Sequence, residues 1–271
     1  MAVGNVVEFG PFVRVHDEGS VRVVVMDRHE RHNALVPELV DEVRAAVAAA
    51  ADTDARAVVL AADGRNFSTG GDVAEFAARS GRERSDYSRH IVGGLNALIL
   101  DLMGLDIPVV AAVQGAVTGG SLGLVLAADV VLLTPDATFT PYYVDVGFSP
   151  DGGWVALLPD RIGSARALAV QLGNDTIDAP TAVEWGLAAG VVTGGVREAA
   201  VQHALRYAAK KPGSIARTKR QIHGDLTVIA RRLDAELENF VEQIGTDEAD
   251  TGMADFLGRT PHDASTTRTS S

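Results

Sequence analysis

The chain has 271 residues and a formal net charge of −12, with 46% apolar and 22% charged residues. That acidic balance makes nucleic acid and anionic membrane poor partners. The sequence has no cysteine, which excludes disulfides, thiolate catalysis and cysteine metal sites.

The length allows one or two domains. Residues 12–15 and 21–26 read as paired strands around the turn cluster Asp17-Glu18-Gly19-Ser20. Pro37 suits a first helical position, and Leu39, Val40, Val43, Ala46, Val47 and Ala50 continue with helical spacing. A strand at 57–61 follows. Asp72 and Glu75 then have the spacing of a capping box that opens a short helix. Residues 87–103 are helical and end near Gly104, and Pro108 leads into a strand at 109–113. Residues 122–128 read as helix and 130–134 as strand. Strands alternating with helices predict an α/β fold with parallel pairings.

Beyond about Gly194 the character changes. Residues 197–209, 215–222 and 226–244 are helical patterns with no strand between them, and 247–257 reads as one more short helix. Residues 259–271 are polar and rich in Ser and Thr, the composition of a disordered tail. Residues 1–10 lack the basic and apolar regions of a secretory signal. The longest apolar run, 122–128, falls far short of the ~20 residues of a membrane span. The expectation is a cytoplasmic protein.

Two glycine segments carry the chemistry. Gly70-Gly71-Asp72 and Gly119-Gly120 each follow an apolar strand-like run and precede a helix start. N–H groups at a helix start lack intrahelical partners, and glycine admits another molecule close to the backbone. Two such turns brought together offer two N–H groups to one anionic oxygen, as in an oxyanion hole. Each turn alone also fits simple packing. No Gly-Lys-Ser/Thr follows either, and the spacing does not fit a dinucleotide fingerprint.

Three motifs then act together. These are Arg28-His29-Glu30-Arg31-His32-Asn33-Ala34-Leu35, Phe67-Ser68-Thr69-Gly70-Gly71-Asp72, and residues 108–115 followed by Gly119-Gly120. In combination they resemble the crotonase, or enoyl-CoA hydratase/isomerase, superfamily, with Gln114 in place of the usual Asn. Asp129, the loop at 147–163 and Phe256-Leu257 extend the likeness over most of the chain.

The resemblance implies an α/β crotonase-like spiral of ββα units. Residues 1–194 would form the acyl-CoA-binding core, 195–258 a helical oligomerisation region and 259–271 the tail. It implies a homotrimer or dimer of trimers, acting on an acyl-CoA thioester through an enolate. No metal or redox cofactor is expected, because coenzyme A arrives as part of the substrate. The oxyanion hole falls on the N–H groups of Gly71 and Gly120. Substrate contacts fall on Arg28, Arg31, Ala34, Ser68, Gly70, Asp72, Val73 and Tyr143. The basic cluster Arg28, His29, Arg31 and His32 is either a solvated loop or a CoA-contacting one. Both histidines read as loop residues rather than bases.

The acid or base decides the reaction. Hydratases of this kind carry two glutamates that activate a water, and the matching positions here are Gly123 and Tyr143. This departure counts against water addition. Ser149-Pro150-Asp151-Gly152-Gly153 is instead similar to the acidic loop of enoyl-CoA isomerases, where one carboxylate carries a proton between carbons. An ordinary Asp, with a pKa near ~3.9, is a feeble base. Burial beside Phe148, Trp154 and Leu157 would raise it. Asp151 also fits a plain Pro-Asp-Gly turn or helix cap. Asp145 is the rival base, sharing a face with Tyr143 if the segment is a strand. Trp154 reads as packing or pocket wall, and Trp185 as core. Double-bond isomerisation is the favoured reading. Hydration or another reaction of the superfamily, and acyl-CoA binding without catalysis, are the alternatives.

Overall fold

The apolar runs that read as strands are buried at the centre of the molecule. The computed structural model describes residues 7–258, so the tail predicted at 259–271 lies outside the described residues. The strands are β1 (Val7–Glu8), β2 (Val13–Glu18), β3 (Val21–Met26), β4 (Ala57–Ala62), β5 (Val109–Val113), β6 (Ala116–Thr118), β7 (Val130–Leu133), β8 (Thr138–Thr140), β9 (Ile177–Asp178) and β10 (Gly190–Val191). The helices are α1 (Pro37–Ala48), α2 (Val73–Ala77), α3 (Gly81–Gly104), α4 (Leu122–Leu126), α5 (Tyr143–Val146), α6 (Leu158–Ile162), α7 (Ser164–Gly173), α8 (Ala179–Glu184), α9 (Val196–Ala208), α10 (Pro212–His223), α11 (Leu226–Gln243) and α12 (Asp247–Gly258). This is the α/β class that the alternation predicts.

In the described residues the main sheet has the order β1-β2-β3-β4-β5-β7-β10, and β6-β8-β9 form a second, smaller sheet. The β1, β2 and β3 pairings are antiparallel, and those from β3 through β10 are parallel. Side chains alternate across the main sheet, as the period of two requires. Val24, Met26, Val58, Leu60 and Ala111 face the core shared with α1 and α3. Val23, Val25, Val59, Ala61 and Val110 face α9 through Ala200, Val201 and Ala204. Among the described residues no helix is long and apolar enough to cross a membrane.

Three local expectations are corrected. The first turn is shorter than its composition suggests. Strand β2 runs through Asp17 and Glu18, leaving only Gly19-Ser20 to turn. The reason is a cross-strand ion pair: Asp17 lies opposite Arg22 and binds its guanidinium. Helix α3 begins at Gly81, six residues before the apolar periodicity becomes visible. Its early turn buries Arg84, which donates to the Phe76 and Arg79 carbonyls and pairs with Asp250 at 2.6 Å. The capping box does not form. Asp72 occupies the cap position of α2 but makes no side-chain cap bond, because Arg28 and Arg31 claim its carboxylate.

The parallel neighbours β4 and β5 bring the two glycine segments together. Past the strand ends the chains keep exchanging hydrogen bonds. Phe67 and Ser68 donate to the carbonyls of Gln114 and Ala116, and Thr118 donates to Ser68. The Ser121 hydroxyl closes the seam on the Ser68 carbonyl at 3.0 Å.

Candidate active site

Two backbone turns form the floor of one pocket. A Cβ placed on Gly70 would stand 2.5 Å from the Thr118 carbonyl oxygen and 3.2 Å from the Gly119 Cα, so the turns touch. Gly70 has φ +74, a region costly for other residues. Its carbonyl accepts from Leu35, and the Asp72 amide donates back to Leu35. In this parallel bridge the intervening Gly71 N–H points away from Leu35. Gly120 sits in the first turn of the helical stretch from Gly119 into α4, and Thr118 supplies no side-chain cap. Its N–H is therefore one of the orphan donors of a helix start. Gly71 and Gly120 both line the same cavity, which encloses about 610 Å³ with its open mouth included.

Asp151 also lines this cavity, and its side chain is 6% exposed. It lies against Gly120: a Cβ there would be 2.8 and 3.2 Å from the two carboxylate oxygens. The Tyr143 hydroxyl donates to Asp151 Oδ1 at 2.5 Å and lies 3.1 Å from the Asp151 carbonyl. Burial pushes the Asp151 carboxyl up to about 6, against the lowering effect of the Tyr143 bond. Burial likewise holds the Tyr143 hydroxyl protonated, well above its ordinary range. Tyr143 is thus a fixed donor and Asp151 a carboxylate tuned toward neutrality. Gly152 makes the close approach possible. It has φ +61, and any Cβ would meet the Gly120 carbonyl oxygen at 2.3 Å. Trp154, fully buried, donates from its indole nitrogen to the Gly119 carbonyl at 2.7 Å. It packs edge-on to Tyr143 and ties the acid loop to the second glycine turn.

The remaining walls are apolar: Leu35, Val73, Ile91, Val92 and Leu95, with Phe76, Phe148 and Phe240 closing one end. Those three rings pack on one another at centroid distances of 5.5–5.9 Å. Helix α11 supplies Phe240, and one turn earlier it supplies a buried carboxylate that the sequence reading missed. Glu236 accepts backbone N–H bonds from Gly153 at 2.8 Å and from Val155 and Ala156 at 2.7 Å each. A signal was present. Ile229, Leu233 and Phe240 form the apolar stripe of α11, and Glu236 interrupts it at helical spacing.

With this geometry established, likeness to other proteins has a site to rest on. The enoyl-CoA hydratase/isomerase family matches residues 16–264. The chain belongs to this family. A relative, the 4-chlorobenzoyl coenzyme A dehalogenase-2 of an Arthrobacter species, is 29% identical over 86% of each chain. The 1,2-epoxyphenylacetyl-CoA isomerase of Escherichia coli K12 is 28% identical over 74% of this chain and 77% of its own. Among solved structures, an enoyl-CoA hydratase/isomerase from Mycobacterium paratuberculosis superposes with a TM-score of 0.83. It is 26% identical and covers 91% of this chain and 98% of its own. The family's fold is the crotonase-like architecture expected from the motifs.

The family motifs fall in two groups in space. Gly71, Gly120, Val73, Tyr143 and Asp151 meet at the cavity. Ser68, Asp72 and Arg28 serve the framework instead. The Ser68 hydroxyl is fully buried and donates to the Asn33 carbonyl at 2.7 Å. The Asp72 carboxylate, 5% exposed, accepts from Arg28 and Arg31 at 3.1 Å. Arg28 also donates to the Ala34 carbonyl at 2.8 Å, so its guanidinium is committed to the loop. Arg31 remains mostly exposed. His29 pairs with Asp27, and His32 contacts Asn66, as loop residues do. Asp145 is corrected as a rival base. Residues 143–146 form a helix, so Asp145 faces away from Tyr143; it is exposed and does not line the cavity. Gly123 has no room for a side chain. A Cβ would meet Ile99 Cδ1 at 2.4 Å and the Gly152 carbonyl oxygen at 2.7 Å.

Proposed function

We propose that the protein isomerises an enoyl-CoA thioester, shifting its carbon–carbon double bond with Asp151 as the one proton carrier. The observation that carries this reading is that Asp151 is the one carboxylate lining the cavity among the described residues, packed on Gly120 near Gly123, which admits no second one. The thioester oxygen accepts from the Gly71 and Gly120 N–H groups. Ionised Asp151 takes a proton from the carbon next to the thioester carbonyl. The electron pair left behind delocalises into the carbonyl and the adjacent double bond, giving a dienolate whose negative oxygen rests between the two donors. Protonated Asp151 then returns the same proton at the far end of the dienolate, and the double bond emerges conjugated with the carbonyl. No water is consumed. A carboxyl near 6 suits this exchange, because its pKa lies close to the working pH.

Several observations support the reading against its alternatives. Water addition by the two-glutamate route needs a carboxylate at Gly123, where backbone and Ile99 fill the space. A protein that only binds acyl-CoA gains nothing from an ionisable group buried beside the acyl site, where burial opposes folding. The names of relatives include both isomerase and hydratase, so the assignment rests on the site. Arg31, exposed at the edge of the basic loop, is the residue we assign to the anionic part of CoA. Separate incubations of the purified protein with a 3-enoyl-CoA and a 2-enoyl-CoA test the proposal. Conversion of the first into the second is expected. Hydration of the 2-enoyl substrate without isomerisation of the other contradicts it.

A further inference from the structure

We infer that Glu236 is a positioning residue for this chemistry: its carboxylate fixes the loop that carries Asp151 and lies within the electrostatic field of that residue. The inference rests on the proton-carrier reading of Asp151. The geometry behind it is independent of that reading. Three N–H groups of one loop, from Gly153, Val155 and Ala156, converge on one side chain that is 4% exposed. These groups begin two residues after Asp151. No other side chain binds this stretch of backbone N–H groups among the described residues.

The carrier of this carboxylate matters as much as the bonds. Helix α11 packs along α3, where the Asn96 amide donates to the Leu233 carbonyl at 2.9 Å. Leu95 of α3 stands against Gly120. The acid loop is therefore clamped between the glycine turn on one side and α11 on the other. A shift of α11 would move Asp151 relative to the oxyanion donors. Proton transfer is sensitive to such a shift, since a displacement of ~1 Å can cost on the order of 100-fold in rate.

The charge is the second part. Glu236 is pushed up to about 7, first by burial and partly by the Asp151 carboxylate, while its three N–H bonds hold it down. Asp151 ionises first, so its charge is already present when Glu236 titrates and holds the Glu236 proton on. The Tyr143 hydroxyl of α5 touches Asp151, and Arg232 of α11 donates to the Ala156 carbonyl at 3.3 Å. Arg232 is drawn aside into an ion pair with Asp160 of α6. Helix α3 presents apolar Leu95.

Glu236→Gln tests both parts. It keeps the side-chain volume, removes the charge, and turns an amide NH2 toward one of the donor N–H groups. With a 3-enoyl-CoA, kcat is expected to fall about 10- to 100-fold, with KM changed by less than about threefold. The acidic limb of the kcat/KM profile is expected to stay near 6, because Glu236 is still mostly protonated where Asp151 ionises. With Glu236→Gln shown to be folded by near-UV circular dichroism, a kcat within about threefold of wild type, or a loss of kcat matched by a rise in KM, overturns the inference. Asp151→Asn is measured alongside. If it keeps full activity, the proton-carrier reading fails and this inference with it. If it is inactive while Glu236→Gln behaves as wild type, this inference alone fails. Should Glu236→Gln not fold, carboxyl-carbon NMR on Asp151→Asn replaces it. Glu236 must then titrate at lower pH than in the wild type, and unchanged titration overturns the inference.

Discussion

Asp151 is a carboxylate in a place where a carboxylate is costly, and that cost has measurable consequences. Its pKa in the folded protein is about 6, above the model-peptide value near ~3.9 expected for the unfolded chain. Stability from this group is complete below the unfolded pKa. It is lost as pH rises from about 4 through 6, where the unfolded chain binds fewer protons than the folded one. Asp151→Asn should therefore raise the melting temperature at pH 8 relative to wild type by more than it does at pH 4, as read by thermal denaturation at both values. Catalysis has the opposite requirement, because only the ionised form accepts a proton. The kcat/KM profile should rise about tenfold per pH unit below about 6 and level off above it. The Tyr143 bond favours the ionised form. Tyr143→Phe should move the limb to higher pH and lower the rate at pH 6 more than at pH 8.

Elements place these residues, and the two glycine turns do so by lying side by side. The seam between residues 66–71 and 114–121 continues the β4–β5 pairing and leaves the Gly71 and Gly120 amides on the cavity side. Helix α4 follows with no space at Gly123, since a Cβ meets the Gly152 backbone. Gly123→Glu should not create a hydratase. It should destabilise the fold by about 1–3 kcal/mol or more through overpacking and lower isomerisation by displacing Gly152, as checked by chemical denaturation and both enoyl-CoA assays. The sequence made much of this legible. Strands with long apolar runs, the glycine turns and Asp151 were all readable, because burial and turn geometry are local constraints. The side-chain commitments of Asp72 and Ser68 were not. Asp72 has a cap's spacing, yet Arg28 and Arg31 lie more than forty positions away in the chain and take its carboxylate. A strand at 141–146 would put Asp145 on the face of Tyr143, but Tyr142 at φ +63 turns the chain into a short helix. Asp145 then faces away from Tyr143 and stays exposed.

Across the whole molecule, the C-terminal helices bind the core through polar anchors that sequence periodicity does not reveal. Lys219 and His223 of α10 both reach Asp129, at 2.8 and 3.0 Å, and Asp129 also accepts the N–H of Val109 at the start of β5. Burial works to raise the Asp129 carboxyl, but the bonds from His223 and Lys219 outweigh it and hold the carboxyl below its ordinary value. Glu236 plays the matching part for α11 at the acid loop. Asp129 could be matched to a motif, whereas Glu236 was visible only as a charge within an apolar stripe, and its partners emerge from the packing of α11 on α3. The helical segment thus completes the walls of the cavity through Phe240 and Phe256. At the centre of the proposed chemistry one group carries one proton above two backbone donors. Its most direct test is the rate at which wild type and Asp151→Asn isomerise a 3-enoyl-CoA, with acyl-CoA affinity measured by calorimetry on both. A loss of about 10²- to 10⁴-fold in rate with affinity retained is expected; an Asp151→Asn protein that isomerises at the wild-type rate contradicts the proton-carrier role.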